Sequence, residues 1–154
     1  AEKDYNQAAT YLLQSTKSEN KDWAHQSYIY LAQIMNMNKN YEQGRTYARK
    51  AYELDKTDGE PFIIIGQLYA ASAKDCGTGN FYSKTAYWAA VDQFEKAKSI
   101  DPSIAAKANE LINAYSHYFP TVEIIFFNGY EEGQSYTLDK CWIGETTKIR
   151  AAKN

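Results

Sequence analysis

Pro61-Phe62-Ile63-Ile64-Ile65-Gly66-Gln67-Leu68-Tyr69, followed downstream by Ala90-Val91-Asp92-Gln93-Phe94-Glu95-Lys96-Ala97 and closed by Asp101-Pro102, decides how this chain folds. In the first segment Phe62, Ile65 and Tyr69 recur at spacings of three and four, the period of one helix face. Pro61 suits a first helical turn, where its missing N–H is not needed. In the second segment Ala90, Phe94 and Ala97 recur in the same way, and Asp101-Pro102 ends the run. Gly66, Ala90 and Ala97 are small where two helices must approach; Phe62, Tyr69 and Phe94 fill the space between neighbours. The expectation is a pair of helices packed through a close contact.

The pattern recurs upstream. Tyr28-x-x-Leu31-Ala32-x-x-Met35 supplies a first helix and Gly44-x-x-x-Ala48-x-x-Ala51 a second. Between them, Asn36-Met37-Asn38-Lys39-Asn40 forms a turn rich in Asn, which tolerates left-handed backbone. Asp55-Lys56 stands where the later copy has Asp101-Pro102. Ala8-x-x-x-Leu12-x-x-Ser15 reads as a second helix lacking its first, and Ala108-x-x-Leu111-Ile112-x-x-Tyr115 as a further first helix with bulky Ile112 at the small position. These spacings resemble the tetratricopeptide repeat (TPR), in which a large residue, Leu-Gly and Tyr mark one helix and Ala, Phe, Ala and a closing Pro the next. The resemblance implies an all-α helix-turn-helix superhelix over residues 1–120: a half repeat at 4–20, a full repeat at 24–58, a full repeat with an insertion at 59–102 and a terminal helix at 103–118. The half repeat leads us to expect a natural protein longer at its N-terminal end, since one helix of a repeat cannot bury its apolar face alone.

Two segments break the repeat. Tyr28 and Gly44 lie 16 positions apart, whereas Phe62 and Ala90 lie 28 apart. The 12 extra residues fall between Ala71 and Thr85. Residues 70–74 extend the preceding helix in this reading, and Asp75-Cys76-Gly77-Thr78-Gly79-Asn80 forms a loop. Such an insertion is either a specialised surface or a tolerated one, because lengthening a loop costs little. Residues 121–154 form the second departure, a short helix plus β-hairpin extension packed on the last helices. Val122-Glu123-Ile124-Ile125-Phe126-Phe127 fits helix or buried strand; Thr121 as a cap and Asn128-Gly129 as an end favour the helix. Residues 134–138 and 141–143 alternate around Asp139-Lys140, which predicts a hairpin, and residues 146–150 offer a third strand. The ending Trp142-Ile143-Gly144-Glu145-Thr146-Thr147-Lys148-Ile149-Arg150 resembles that of a group of bacterial, envelope-associated TPR proteins.

Composition narrows the function. Lys+Arg 17 against Asp+Glu 19 gives a net charge of −2, no footprint for nucleic acid. No apolar run approaches the roughly 20 residues of a membrane helix. Ala1-Glu2-Lys3-Asp4 leads straight into an amphipathic pattern rather than a signal peptide. Fourteen tyrosines suit helices that bury a ring and wet a hydroxyl. Cys76 and Cys141 both lie in the irregular segments, so they are either a disulfide tying insertion to tail or two unrelated thiols; the bridge implies a periplasmic or envelope setting, free thiols a cytoplasmic one. Two sulfurs do not make a metal site, and no cofactor motif is present. His25 reads as a helix-start or surface residue and His117 as a helix-end residue near Tyr118, with no nucleophile patterned to either. Gly77-Thr78-Gly79 through Lys84-Thr85 lacks the Gly before Lys and the strand that a phosphate loop needs.

The resemblance places ligand contacts on the first helix of each repeat. Those positions hold Gln26, Ile29, Gln33, Asn36 and Met37; then Glu60, Ile63, Gln67, Ala70 and Ala71; then Ala106, Asn109, Asn113, Ser116 and His117. The surface is amide-rich and lacks Lys and Arg, unlike TPR domains that clamp a peptide carboxylate. The implied function is a non-enzymatic scaffold binding a protein or peptide. The alternative is a structural subunit docking into a multiprotein complex through residues 72–85 and the C-terminal hairpin.

Overall fold

The Asn20 carboxamide accepts hydrogen bonds from the backbone N–H groups of Asp22 and Trp23 at 3.0 and 3.2 Å, an N-cap that opens the first full helix pair. The computed structural model describes residues 2–153; residues 1 and 154, within the sequence-derived domain bounds, lie outside that range. The helices are α1 (Glu2–Ser15), α2 (Lys21–Met37), α3 (Tyr41–Leu54), α4 (Glu60–Ala71), a single turn α5 (Gly79–Tyr82), α6 (Thr85–Ile100), α7 (Ala105–Ser116) and α8 (Val122–Phe127). Strands β1 (Ser135–Thr137) and β2 (Thr146–Lys148) pair antiparallel, with Tyr136 opposite Thr147. Each long helix packs on the next, α1 through α4, then α6 and α7, and α2 also touches α4. No described helix is long and apolar enough to cross a membrane.

The two helix pairs α2–α3 and α4–α6 end identically. Asp55 Oδ1 accepts from Thr57 N and Oγ1 at 2.9 and 2.6 Å, and Asp101 Oδ1 accepts from Ser103 N and Oγ at 3.1 and 2.5 Å. These turns pull both carboxyls below the ordinary carboxylate range, chiefly through the hydroxyl bonds. The pairs differ where their helices cross. In the first, the pattern positions hold Ala32 and Ala48, and both are fully buried. In the second, the matching positions hold Gly66 and Phe94, and a Cβ on Gly66 would collide with the Phe94 ring and lie 2.9 Å from the Ala90 carbonyl oxygen. The volume gained by Phe94 is the volume Gly66 gives up.

The irregular segments are more ordered than their sequence suggests. Helix α4 stops at Ala71, with Ser72 Oγ folding back onto the Leu68 carbonyl at 2.9 Å. Asp75 and Cys76, expected in a loop, belong to a 3-10 turn (Ala73–Cys76), and Gly79 and Asn80 begin α5. Residues 122–127 are helix rather than strand, with Thr121 as N-cap and Gly129 at φ 81° just beyond Asn128.

The hairpin reading needs correction. Residues 141–143 are not a strand, and the partner of β1 is β2, from the segment expected as a third strand. The physical reason is competition for backbone and side chains. Cys141 is bonded to Cys76, Trp142 stacks on Tyr41 at 6.0 Å, and the carbonyls of Trp142 and Ile143 accept from the Arg45 guanidinium at 3.1 and 2.7 Å. Those carbonyls are taken, so the ladder skips to residues 146–148.

Candidate functional site

Helices α2, α4 and α7 leave an open cleft of about 540 Å³. Asn36 near the end of α2 and Gln67, Ala70 and Ala71 on α4 form one side. Tyr87 at the start of α6, Tyr115 on α7 and Tyr118 just beyond it form the other. The rings cluster: Tyr87 stacks on Tyr115 at 5.9 Å and on Tyr118 at 5.3 Å, and Tyr115 stacks on buried Phe94 at 5.6 Å. Burial, then the neighbouring phenols, pushes the Tyr87 and Tyr115 hydroxyls above their ordinary pKa of 10.0, so both stay neutral phenols at ordinary pH. None of the lining residues carries a charge. Among the described residues, no intramolecular hydrogen bond engages the side-chain polar groups of Asn36, Gln67, Tyr87, Tyr115 or Tyr118.

The expected groove residues divide. Asn36, Gln67, Ala70 and Ala71 converge on the cleft. Ile29, Ile63 and Ser116 are enclosed in the interior at 4%, 0% and 3% exposure. Gln26, Gln33, Met37, Ala106 and Asn113 are exposed outside the cleft lining. Asn109 accepts from Lys98 Nζ at 3.1 Å, Glu60 pairs with Lys107 at 2.9 Å, and His117 Nδ1 lies 3.2 Å from the Lys153 carbonyl, beside the chain's end. The three tyrosines were not among the expected contacts. Tyr87 lies at the start of α6, a helix that carried none of the expected contacts, and Tyr115 read as core; the high tyrosine count was the available signal.

His25 is not a surface residue. Its side chain is 13% exposed, with Nδ1 2.8 Å from the Ala51 carbonyl oxygen and Nε2 2.8 Å from Asp58 Oδ2, so it ties α2 to the end of α3.

A second feature joins the insertion to the tail. Cys76 and Cys141 form a disulfide, consistent with an extracellular or periplasmic location. Phe81 of α5 is 2% exposed, stacks on Tyr130 at 5.1 Å and meets Trp88 and Tyr136 edge-on. Trp142 Nε1 donates to Ser72 Oγ at 2.9 Å, while Tyr69 Oη donates to Glu145 Oε1 at 2.6 Å. Farther along, Arg150 Nη2 donates to the Trp88 carbonyl and to Asp92, and Thr147 Oγ1 donates to the other oxygen of that carboxylate. The tail thus reaches α3, α4 and α6. On its outer side α8 leaves Phe126 and Phe127 78% and 91% exposed beside a pocket of about 420 Å³ shared with residues 78–82.

No protein-family model, no curated protein and no solved structure matches this chain.

Proposed function

We propose that this chain is a non-enzymatic interaction scaffold of the tetratricopeptide-repeat kind, which holds a peptide segment of a partner in the cleft between α2, α4 and α7. The observation that carries this reading is the convergence of Asn36 and Gln67 with three tyrosines on one open, uncharged cleft, with their side-chain polar groups left without hydrogen-bond partners among the described residues. Side chains that keep hydrogen-bonding capacity free on a concave surface are suited to a ligand's backbone. The two like-ended helix pairs support a helical repeat, and the disulfide supports a partner in the cell envelope. The test is selection of binding peptides from a random display library on the intact chain. Selected peptides should lose at least about tenfold in affinity for a Gln67→Ala, Tyr118→Ala variant, near 1.4 kcal/mol. Peptides that bind this variant unchanged would refute the cleft as the site.

A second reading is favoured by Phe126 and Phe127. Two adjacent, largely exposed phenylalanines beside an apolar pocket are unusual on a monomer's surface. They support a permanent docking face formed by α8 and the insertion. Selected peptides weakened by Phe127→Ser and untouched in the cleft variant would move the function there.

A further inference from the structure

We infer that the cleft recognises a neutral, proline-rich segment in the polyproline II conformation, a deeper statement that rests on the cleft being the binding site. Three observations carry it. First, the hydrogen-bonding groups facing the cleft are three phenols and two carboxamides, with no cation, carboxylate or free backbone edge among the lining residues. A charged ligand would find no counter-charge there. An extended β-strand ligand needs an unpaired strand edge to supply alternating N–H and C=O groups, whereas no strand contributes to the cleft lining.

Second, polyproline II has no internal hydrogen bonds, and its prolines have no N–H to satisfy. What it presents is a row of free carbonyl oxygens and flat apolar rings. Phenol O–H and carboxamide N–H groups donate to the former, while tyrosine rings pack on the latter. The rings of Tyr87, Tyr115 and Tyr118 are spaced by 5.3 to 6.1 Å, close to the roughly 6 Å advance of two polyproline II residues.

Third, the ring cluster is held in place before any ligand arrives. Tyr115 rests on Phe94, which is fully buried. Such a platform suits a ligand that is itself stiff, because neither partner loses much conformational freedom on binding.

The experiment titrates the intact, disulfide-bonded chain into fluorescently labelled decaproline and follows anisotropy, with a Gly/Ser decapeptide and chitotetraose as competitors. Saturable binding of decaproline is expected, unchanged between low and high salt and displaced by neither competitor. A Tyr87→Phe, Tyr118→Phe variant, which keeps both rings, should bind at least about tenfold more weakly with an unaltered thermal melt. Absence of saturable decaproline binding, equal binding by the double variant, or displacement by chitotetraose would each overturn the proposal. If decaproline fails while library-selected peptides still depend on Gln67 and Tyr118, the polyproline assignment falls and the cleft stands. If neither depends on the cleft, both fall.

Discussion

At position 66 there is no room for a single added carbon. The Phe94 ring occupies that space and the Ala90 carbonyl oxygen stands 2.9 Å from where a Cβ would lie. The ring is buried and the carbonyl belongs to α6, so relief requires moving one helix against another. Gly66→Ala should destabilise the chain by about 1–3 kcal/mol through overpacking, although alanine is the better helix former. Its urea midpoint measures this; a midpoint at or above that of the unaltered chain would mean the crossing is loose. At the matching site of the first pair the chain already carries alanine, the fully buried Ala32. Gly77 is constrained in another way. It has φ 149°, and a Cβ there would lie 2.5 Å from that of Tyr82, so the chain leaves Cys76 along a path open to glycine alone.

Among the elements, the single turn α5 has the largest effect for its length. Four residues after the Gly77 bend put Phe81 into a cluster with Trp88, Tyr130 and Tyr136. Phe81→Ala should cost about 3–5 kcal/mol, as for other buried aromatics, and should hasten tryptic cleavage after Lys140 and Lys148 by loosening the tail. Cleavage at the unaltered rate would show that the tail is held without the insertion. The cluster also responds to pH. Burial first, then the Tyr130 and Tyr82 phenols and Asp139, pushes Tyr136 up to about 12 from the ordinary 10.0. Above pH 10 the unfolded chain therefore loses protons that the folded chain keeps, and stability falls as pH rises from about 10 toward 12. Below pH 10 both states hold the proton and this contribution is constant. Urea midpoints at pH 8 and pH 11 read the effect, and Tyr136→Phe should make the decline shallower; an identical decline in that variant would assign it to other tyrosines.

For the whole molecule, the disulfide is the longest covalent constraint. Cys76 and Cys141 are separated by 65 positions, with Cα atoms 4.8 Å apart. Closing a loop of that length restricts the unfolded chain and contributes about 4 kcal/mol in the chain-entropy account. A Cys76→Ser, Cys141→Ser variant should unfold at lower urea by a corresponding amount while keeping its helical circular dichroism, because the helix pairs pack independently of the bridge. Loss of helix signal in that variant would mean the tail is needed for the pairs to fold. The molecule thus combines a stack of helices, whose contacts are mostly between sequence neighbours, with one long-range clamp. In the clamp, Arg45 donates to the Ile143 carbonyl across 98 positions and Trp88 to the Arg150 carbonyl across 62.

The packed helix pairs were legible in the sequence because their determinants are local. Spacings of three and four, small residues at crossings and Asp-led turns act within some thirty residues, and α1 through α4, α6 and α7 form on the segments that pattern marked, although α2 runs on through Asn36 and Met37, expected in the turn, and α4 stops at Ala71 short of the expected extension over 70–74. Helix α8 was legible from its caps, and the bridge between Cys76 and Cys141 stood as one of two readings because both residues lay where the pattern broke. The strand partner of β1 was not legible. Alternation alone favoured residues 141–143, and only the folded chain brings Arg45 and Tyr41 to claim them. Nor was the full cleft. Asn36 and Gln67 followed from helical position, but Tyr87 reaches the cleft through the packing of α6 between α4 and α7. Local periodicity assigns a residue to a face of its own helix; which faces meet, and which side chains are left facing open space, is decided by long-range packing that no single segment encodes.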